Sequence, residues 1–89
     1  MENLNDTLQE RGSNYGTFVE QGQTAQHIKN AMRAQPGWKL LREHQKEALE
    51  TIAMKISRIL CGDPNYADSW HDIAGYAELI VKDLEGEGI

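Results

Sequence analysis

Two helix-forming runs separated by a five-residue interruption, "GDPNY", constrain this chain more than any other feature. Residues 39–61, "KLLREHQKEALETIAMKISRILC", are rich in Leu, Glu, Lys, Gln and Ala and contain neither Gly nor Pro, which predicts one long helix closed by Gly62 just past its end. Helical periodicity resumes over residues 64–84. A connector this short returns the second helix antiparallel to the first. The expected fold class is therefore all-α, a small bundle built on a long antiparallel helical hairpin.

Winding both helices at 100° per residue sorts their side chains. On the first, Leu41, Ala48, Leu49, Ile52, Ala53, Ile56, Ile59 and Leu60 form one broad apolar arc, bordered on one edge by His44, Glu47, Thr51, Lys55 and Arg58. On the second, Trp70, Ile73, Ala77, Ile80 and Leu84 make the apolar arc, and Asp68, Asp72, Gly75, Tyr76 and Leu79 share a neighbouring face. Trp70, Ile73, Ile52 and Ile59 are the expected shared core. Gly75 lies inside the predicted helix, where glycine costs about 1 kcal/mol relative to alanine, so a close backbone approach is expected there.

Upstream, residues 1–18 read as a short helix over 4–11, ended by Gly12-Ser13-Asn14, and an aromatic turn, "NYGTF". Residues 19–34 follow as a helix carrying Ala25, Ile28 and Met32, stopped by "AQPGW". Residues 85–89 read as a frayed tail. The whole chain is one helical domain. At 89 residues it sits near the size at which a monomer buries a barely sufficient core, so completion by homo-oligomerisation is expected.

Fourteen acidic against nine basic residues give a formal charge of −5, which argues against non-specific nucleic-acid binding and against anionic membranes. Cys61 is the single cysteine, no signal peptide or long apolar run is visible, and a cytoplasmic location is expected. His27, His44 and His71 lack zinc-ligand spacing, and no glycine-rich phosphate loop occurs.

The aspartates four residues apart in "DSWHDIAGYAEL" pose the main chemical question, because Asp68 and Asp72 place like charges on one helix face. Lys55 and Arg58 can face them across the hairpin. One reading is a partly solvated set of salt bridges. Others make Asp72 the far member of a capping box begun by Ser69, or Asp63 the helix cap with Pro64 at the first helical position. The chemical reading is a magnesium and phosphate site. Hard cations take carboxylate oxygens together with substrate phosphates, which suits Glu47, Asp68 and Asp72, with Glu50 a further candidate, while Lys55 and Arg58 bind phosphate. Tyr15 and Tyr76 are candidates for base stacking or partner contact.

"NYGTF", "EALETIAMKISRILCGDP" and "DSWHDIAGYAEL" together resemble a family of small proteins encoded mostly by phages and prophages, marked by a Y-G turn, a K-x-x-R helix and a D-S-W-x-D-x-A-G-Y helix. A weaker resemblance is to the MazG-like all-α nucleoside triphosphate pyrophosphatases, whose helices carry E-E-x-x-E and then E-x-x-D. Glu47 and Glu50 match the last two acids of the first element, with Lys46 in place of its first. Asp72 matches the final aspartate, with Ser69 in place of the glutamate and Asp68 one position earlier. The resemblance implies magnesium-dependent hydrolysis of a nucleoside triphosphate, or binding of a phosphorylated nucleotide without chemistry. The competing expectation is a non-enzymatic protein that acts on a host complex or defence system, with the Tyr15 turn and an exposed Trp38 as anchors.

Overall fold

The computed structural model describes residues 4–89 and contains four α-helices in the order α1 (Leu4–Tyr15), α2 (Phe18–Arg33), α3 (Glu43–Cys61) and α4 (Ala67–Leu84), with a 3-10 turn at Pro36–Leu40. No strand occurs among the described residues. The all-α hairpin expectation holds: α3 packs on α4, and equally on α2, while α2 and α4 share no comparable packing. Thus α3 is the central element, flanked on two sides, with α1 resting against it.

Helix boundaries differ from expectation for identifiable reasons. Helix α1 runs through Gly12-Ser13-Asn14 because Ser13 turns its hydroxyl back onto the Glu10 carbonyl at 2.9 Å. Its stop is Gly16, whose φ of +81° no other residue type adopts cheaply, and whose N–H donates to the Gly12 carbonyl. Helix α2 starts one residue earlier than expected, at Phe18, because the Thr17 hydroxyl caps the Glu20 N–H at 3.2 Å. Helix α3 starts at Glu43 rather than residue 39. Pro36 opens the 3-10 turn, Leu41 and Arg42 are extended, and the Gln45 side chain accepts the Arg42 N–H at 2.8 Å to begin the helix proper.

The Asp63 cap does not form. Its carboxylate instead accepts the Asn65 N–H at 2.9 Å in a local turn, so α4 begins only at Ala67, with Tyr66 at the cap position. Ser69 is buried within the helix, which also removes the capping box to Asp72.

The core is built from small residues. Ala25, Ala48, Ala53, Ser57 and Ser69 are buried, with Ile59 the one large apolar side chain among them. A helix wedged between two neighbours must let both backbones approach, and Ala and Ser at the crossings allow that. The larger side chains are displaced: Ile52 and Ile73 are half-buried, and Trp70, expected in the shared core, is 54% exposed with its indole N–H donated to the Pro64 carbonyl at 2.8 Å. Ser69 takes the inward position beside it. Ser57, fully buried, satisfies its hydroxyl on the Met54 carbonyl at 2.6 Å. Gly75 meets nothing within 4 Å, so the close approach expected there is absent among the described residues.

Candidate functional site

The end of α3 is docked backbone-to-backbone against the turn between α1 and α2. A Cβ on Gly62 would lie 2.3 Å from the Asn14 carbonyl oxygen and 2.4 Å from Tyr15 Cα, and one on Gly16 would lie 2.3 Å from the Cys61 carbonyl oxygen. The Asp63 N–H donates to the Asn14 carbonyl at 2.9 Å, and Thr24 and Cys61 make a 3.3 Å side-chain hydrogen bond. Two glycines thus permit a contact that fixes the aromatic turn onto the last turn of α3. Tyr15 is placed there edge-to-face against Tyr66, with ring centroids 5.6 Å apart.

Arg58 lies in the last turn of α3 and reaches across this junction. Its guanidinium carbon is 4.6 Å from the centre of the Tyr15 ring, a cation–π geometry. Its Nε is buried without a hydrogen-bond partner. Beside it opens a cleft of about 500 Å³ lined by Leu8, Arg11, Tyr15, Phe18, Gln21 and Arg58 together with the Gly16-Thr17 turn. Among the described residues neither Arg11 nor Arg58 forms an ion pair. Phe18, 85% exposed, stands at the cleft mouth. The cleft therefore combines two cations, an aromatic wall and an amide side chain.

The other predicted site residues are distributed elsewhere. Lys55 and Asp72 do meet across the hairpin, at 2.8 Å, and this hydrogen bond holds the Asp72 carboxyl below the usual carboxylate range, with the Lys55 charge adding to the effect. Asp68 acts instead on Tyr66. Its side-chain hydrogen bond and negative charge push the Tyr66 phenol up to about 12. Glu50 pairs with Arg33 of α2 at 3.2 Å. Glu47 is exposed beside a small depression shared with Lys29, Glu50, Thr51 and Met54. Tyr76 lines a separate shallow depression on α4 with His71, Asp72, Gly75 and Leu79. No three His, Cys, Asp or Glu side chains of the described residues come together as a metal-binding group, and Glu47, Asp68 and Asp72 lie in separate surroundings.

Arg58 and Tyr15 are therefore the predicted site residues that line the cleft at the α1–α2 turn, while Asp72 and Tyr76 share the depression on α4, Glu47 and Glu50 share another, and Lys55 is paired with Asp72. Arg11 escapes the sequence reading, whereas Phe18 is legible there as part of the aromatic turn "NYGTF". Arg11 precedes Tyr15 by four residues, the i,i+4 spacing of one helix face, but that signal is visible only once α1 is known to run through Gly12. Thr17-Phe18-Val19-Glu20 is a T-x-x-E capping signature that places Phe18 at a helix start facing the turn.

The fold and cleft define a small all-α protein with an aromatic, arginine-bearing groove where its first turn meets its central helix. Residues 2–83 match the model of a family described as a domain of unknown function, DUF6378, and the chain belongs to that family. No curated protein and no solved structure matches it. No helix of the described residues is long and apolar enough to cross a membrane.

Proposed function

We propose that the protein binds a phosphorylated nucleotide, without hydrolysing it, in the cleft between the end of α1, the start of α2 and Arg58. One observation carries this reading: Arg58, stacked on Tyr15 with a buried and unpartnered Nε, sits beside Arg11 in a cleft of about 500 Å³, within the size range of small-molecule sites. Two guanidinium groups suit phosphate oxygens, which accept their N–H donors in a planar, charge-assisted arrangement. Phe18 at the mouth offers a face for a base, and Gln21 an amide that can donate and accept at a base edge. Binding without hydrolysis is favoured over the magnesium-dependent reaction because Glu47, Asp68 and Asp72 are spread over three environments. On this reading the chain works among the nucleotides of a host cytoplasm, as the likeness to phage-encoded proteins implies.

A second reading, recognition of another protein, draws on the same exposed Phe18 with Val19 beside it. It loses the anchors first assigned to it, because Tyr15 is packed between Arg58 and Tyr66 and Trp38 is half-buried. Calorimetric titration with nucleoside mono-, di- and triphosphates, with inorganic phosphate as control, separates the two. Nucleotide binding that is lost in Arg11→Gln and Arg58→Gln and kept in Lys55→Met is expected. A wild-type protein that binds none of them at millimolar concentration defeats the nucleotide reading.

A further inference from the structure

The geometry points to a second copy of this chain as the cover for the apolar face of α3 and α4. This inference is independent of the nucleotide reading, since the face lies apart from the Arg58 cleft. Helices α2 and α4 flank α3 without packing comparably on each other, which leaves the middle of the α3 apolar arc uncovered. Leu49 and Leu60 are exposed there, and between α3 and α4 a groove of about 260 Å³ is lined by Leu41, Ala48, Leu49, Ile52, Ala77 and Ile80. Trp70, Val81 and Leu84 extend the apolar surface along α4.

Size and shape say how much is missing. A folded monomer of 10.1 kDa exposes about 5,300 Å² on the usual mass scaling. This chain exposes 6292 Å². Its radius of gyration is 15.0 Å, where about 12 Å is expected for its length. The surplus surface, roughly 1,000 Å², is close to the roughly 800 Å² that each partner contributes to a stable protein–protein interface. Apolar residues of α1 and the start of α2 account for part of it, but the continuous and uncharged portion is the α3–α4 face.

A second copy fits this face better than a foreign protein for two reasons. Among the described residues Gln45 is the only polar one lining the groove, so two chains of net charge −5 can meet there without placing acid on acid. Among the described residues only Ala25, Ala48, Ala53 and Ile59 are buried apolar residues, so covering this face is part of completing the fold, and a copy of the chain is always at hand when it folds. A two-fold pairing then sets Leu49 and Ile52 of one protomer against the α3–α4 groove of the other.

Sedimentation equilibrium of the intact chain tests this, from about 1 to about 200 µM. The expected result is a species of twice the 10.1 kDa chain mass. Leu49→Lys and Ala77→Arg, both at exposed positions, are expected to shift it to monomer while the helical far-ultraviolet spectrum remains. A wild-type monomer at the highest concentration overturns the proposal and leaves the face to another partner, and a dimer that survives both variants overturns this choice of face. Isotope-filtered NOEs in a mixed labelled and unlabelled sample decide the matter if the variants misfold. Intermolecular NOEs between the methyls of Leu49, Ile52 and Ile80 support the pairing, and their absence from a wild-type dimer refutes it.

Discussion

The guanidinium of Arg58 lies 4.6 Å from the centre of the Tyr15 ring, joining the end of α3 to the turn between α1 and α2. The contact has a structural side and, on the nucleotide reading proposed above, a binding side, and the two separate by substitution. Arg58→Met keeps an unbranched apolar stem over the ring and removes the charge. A stability loss of about 0.5 to 1 kcal/mol is expected from the missing cation–π contact. Nucleotide affinity should fall about 10- to 100-fold, the usual worth of a hydrogen bond to a charged group. Arg58→Lys should recover the stability and only part of the affinity, because an ammonium cannot offer two parallel N–H donors. Equal recovery of both would show that Arg58 acts on the phosphate only as a point charge.

Gly62→Ala tests the junction beneath that contact. The new methyl would sit 2.3 Å from the Asn14 carbonyl oxygen and 2.4 Å from Tyr15 Cα, both backbone atoms that cannot rotate away. Relief requires α1 and its turn to move off α3. A loss of about 1 to 3 kcal/mol is expected in denaturant unfolding, as for other overpacked sites. Loss of the exciton or ring-current signature of the Tyr15–Tyr66 pair should accompany it. A variant as stable as the wild type would mean that the junction is looser than these distances require.

The hairpin and the composition of its arcs are legible in the sequence because helical periodicity and an interrupting Gly62-Asp63-Pro64 are local signals. The Lys55–Asp72 pair is legible for the same reason, since antiparallel helices bring those faces together. What is buried is less so. The apolar arc of α3 includes Ala48, Ala53 and Ile59, which are buried, but also Leu49 and Leu60, which are exposed, and it leaves out Ser57, which is fully buried, because burial depends on how the neighbouring helices are placed. The Arg58 cleft is hidden further, because it needs the positive φ of Gly16 to fold the Tyr15 turn back onto a helix more than forty residues later. Glu47, Asp68 and Asp72 lie in separate surroundings, and periodicity alone does not register a local partner such as Tyr66 beside Asp68.

Overfilling the tight crossing should be costly where trimming it is not. Ser57 and Ala53 are fully buried where α3 meets its neighbours. Ala53→Leu is expected to destabilise by about 1 to 3 kcal/mol or to force the helices apart. Ser57→Ala removes only a hydroxyl bonded to its own helix, at the Met54 carbonyl, so a change of within about 1 kcal/mol is expected. Thermal unfolding of the two variants checks the contrast. A tolerated Ala53→Leu would show that a larger side chain there can turn toward the open face.

Acid titration probes the two carboxylates that clasp the hairpin. Asp72 is held below the usual carboxylate range by its hydrogen bond from Lys55, and Asp83 by its hydrogen bond from His44 and by the neighbouring Arg42 charge. Both are surface groups, so each contribution is screened and modest. The sign follows from the direction of the shift: a carboxyl whose folded value is depressed binds fewer protons when folded than when unfolded. Its stabilisation is complete above the ordinary carboxylate value of about 4 and is lost as pH falls through the lower folded value. Urea unfolding of the wild type should therefore weaken progressively below about pH 4. Asp72→Asn and Asp83→Asn should each lower the neutral-pH midpoint slightly and flatten this acid limb, with the double variant flatter than either, because the two pairs lie in opposite halves of α4 and share no partner. An acid limb of unchanged slope in the double variant would show that neither pair is formed in solution.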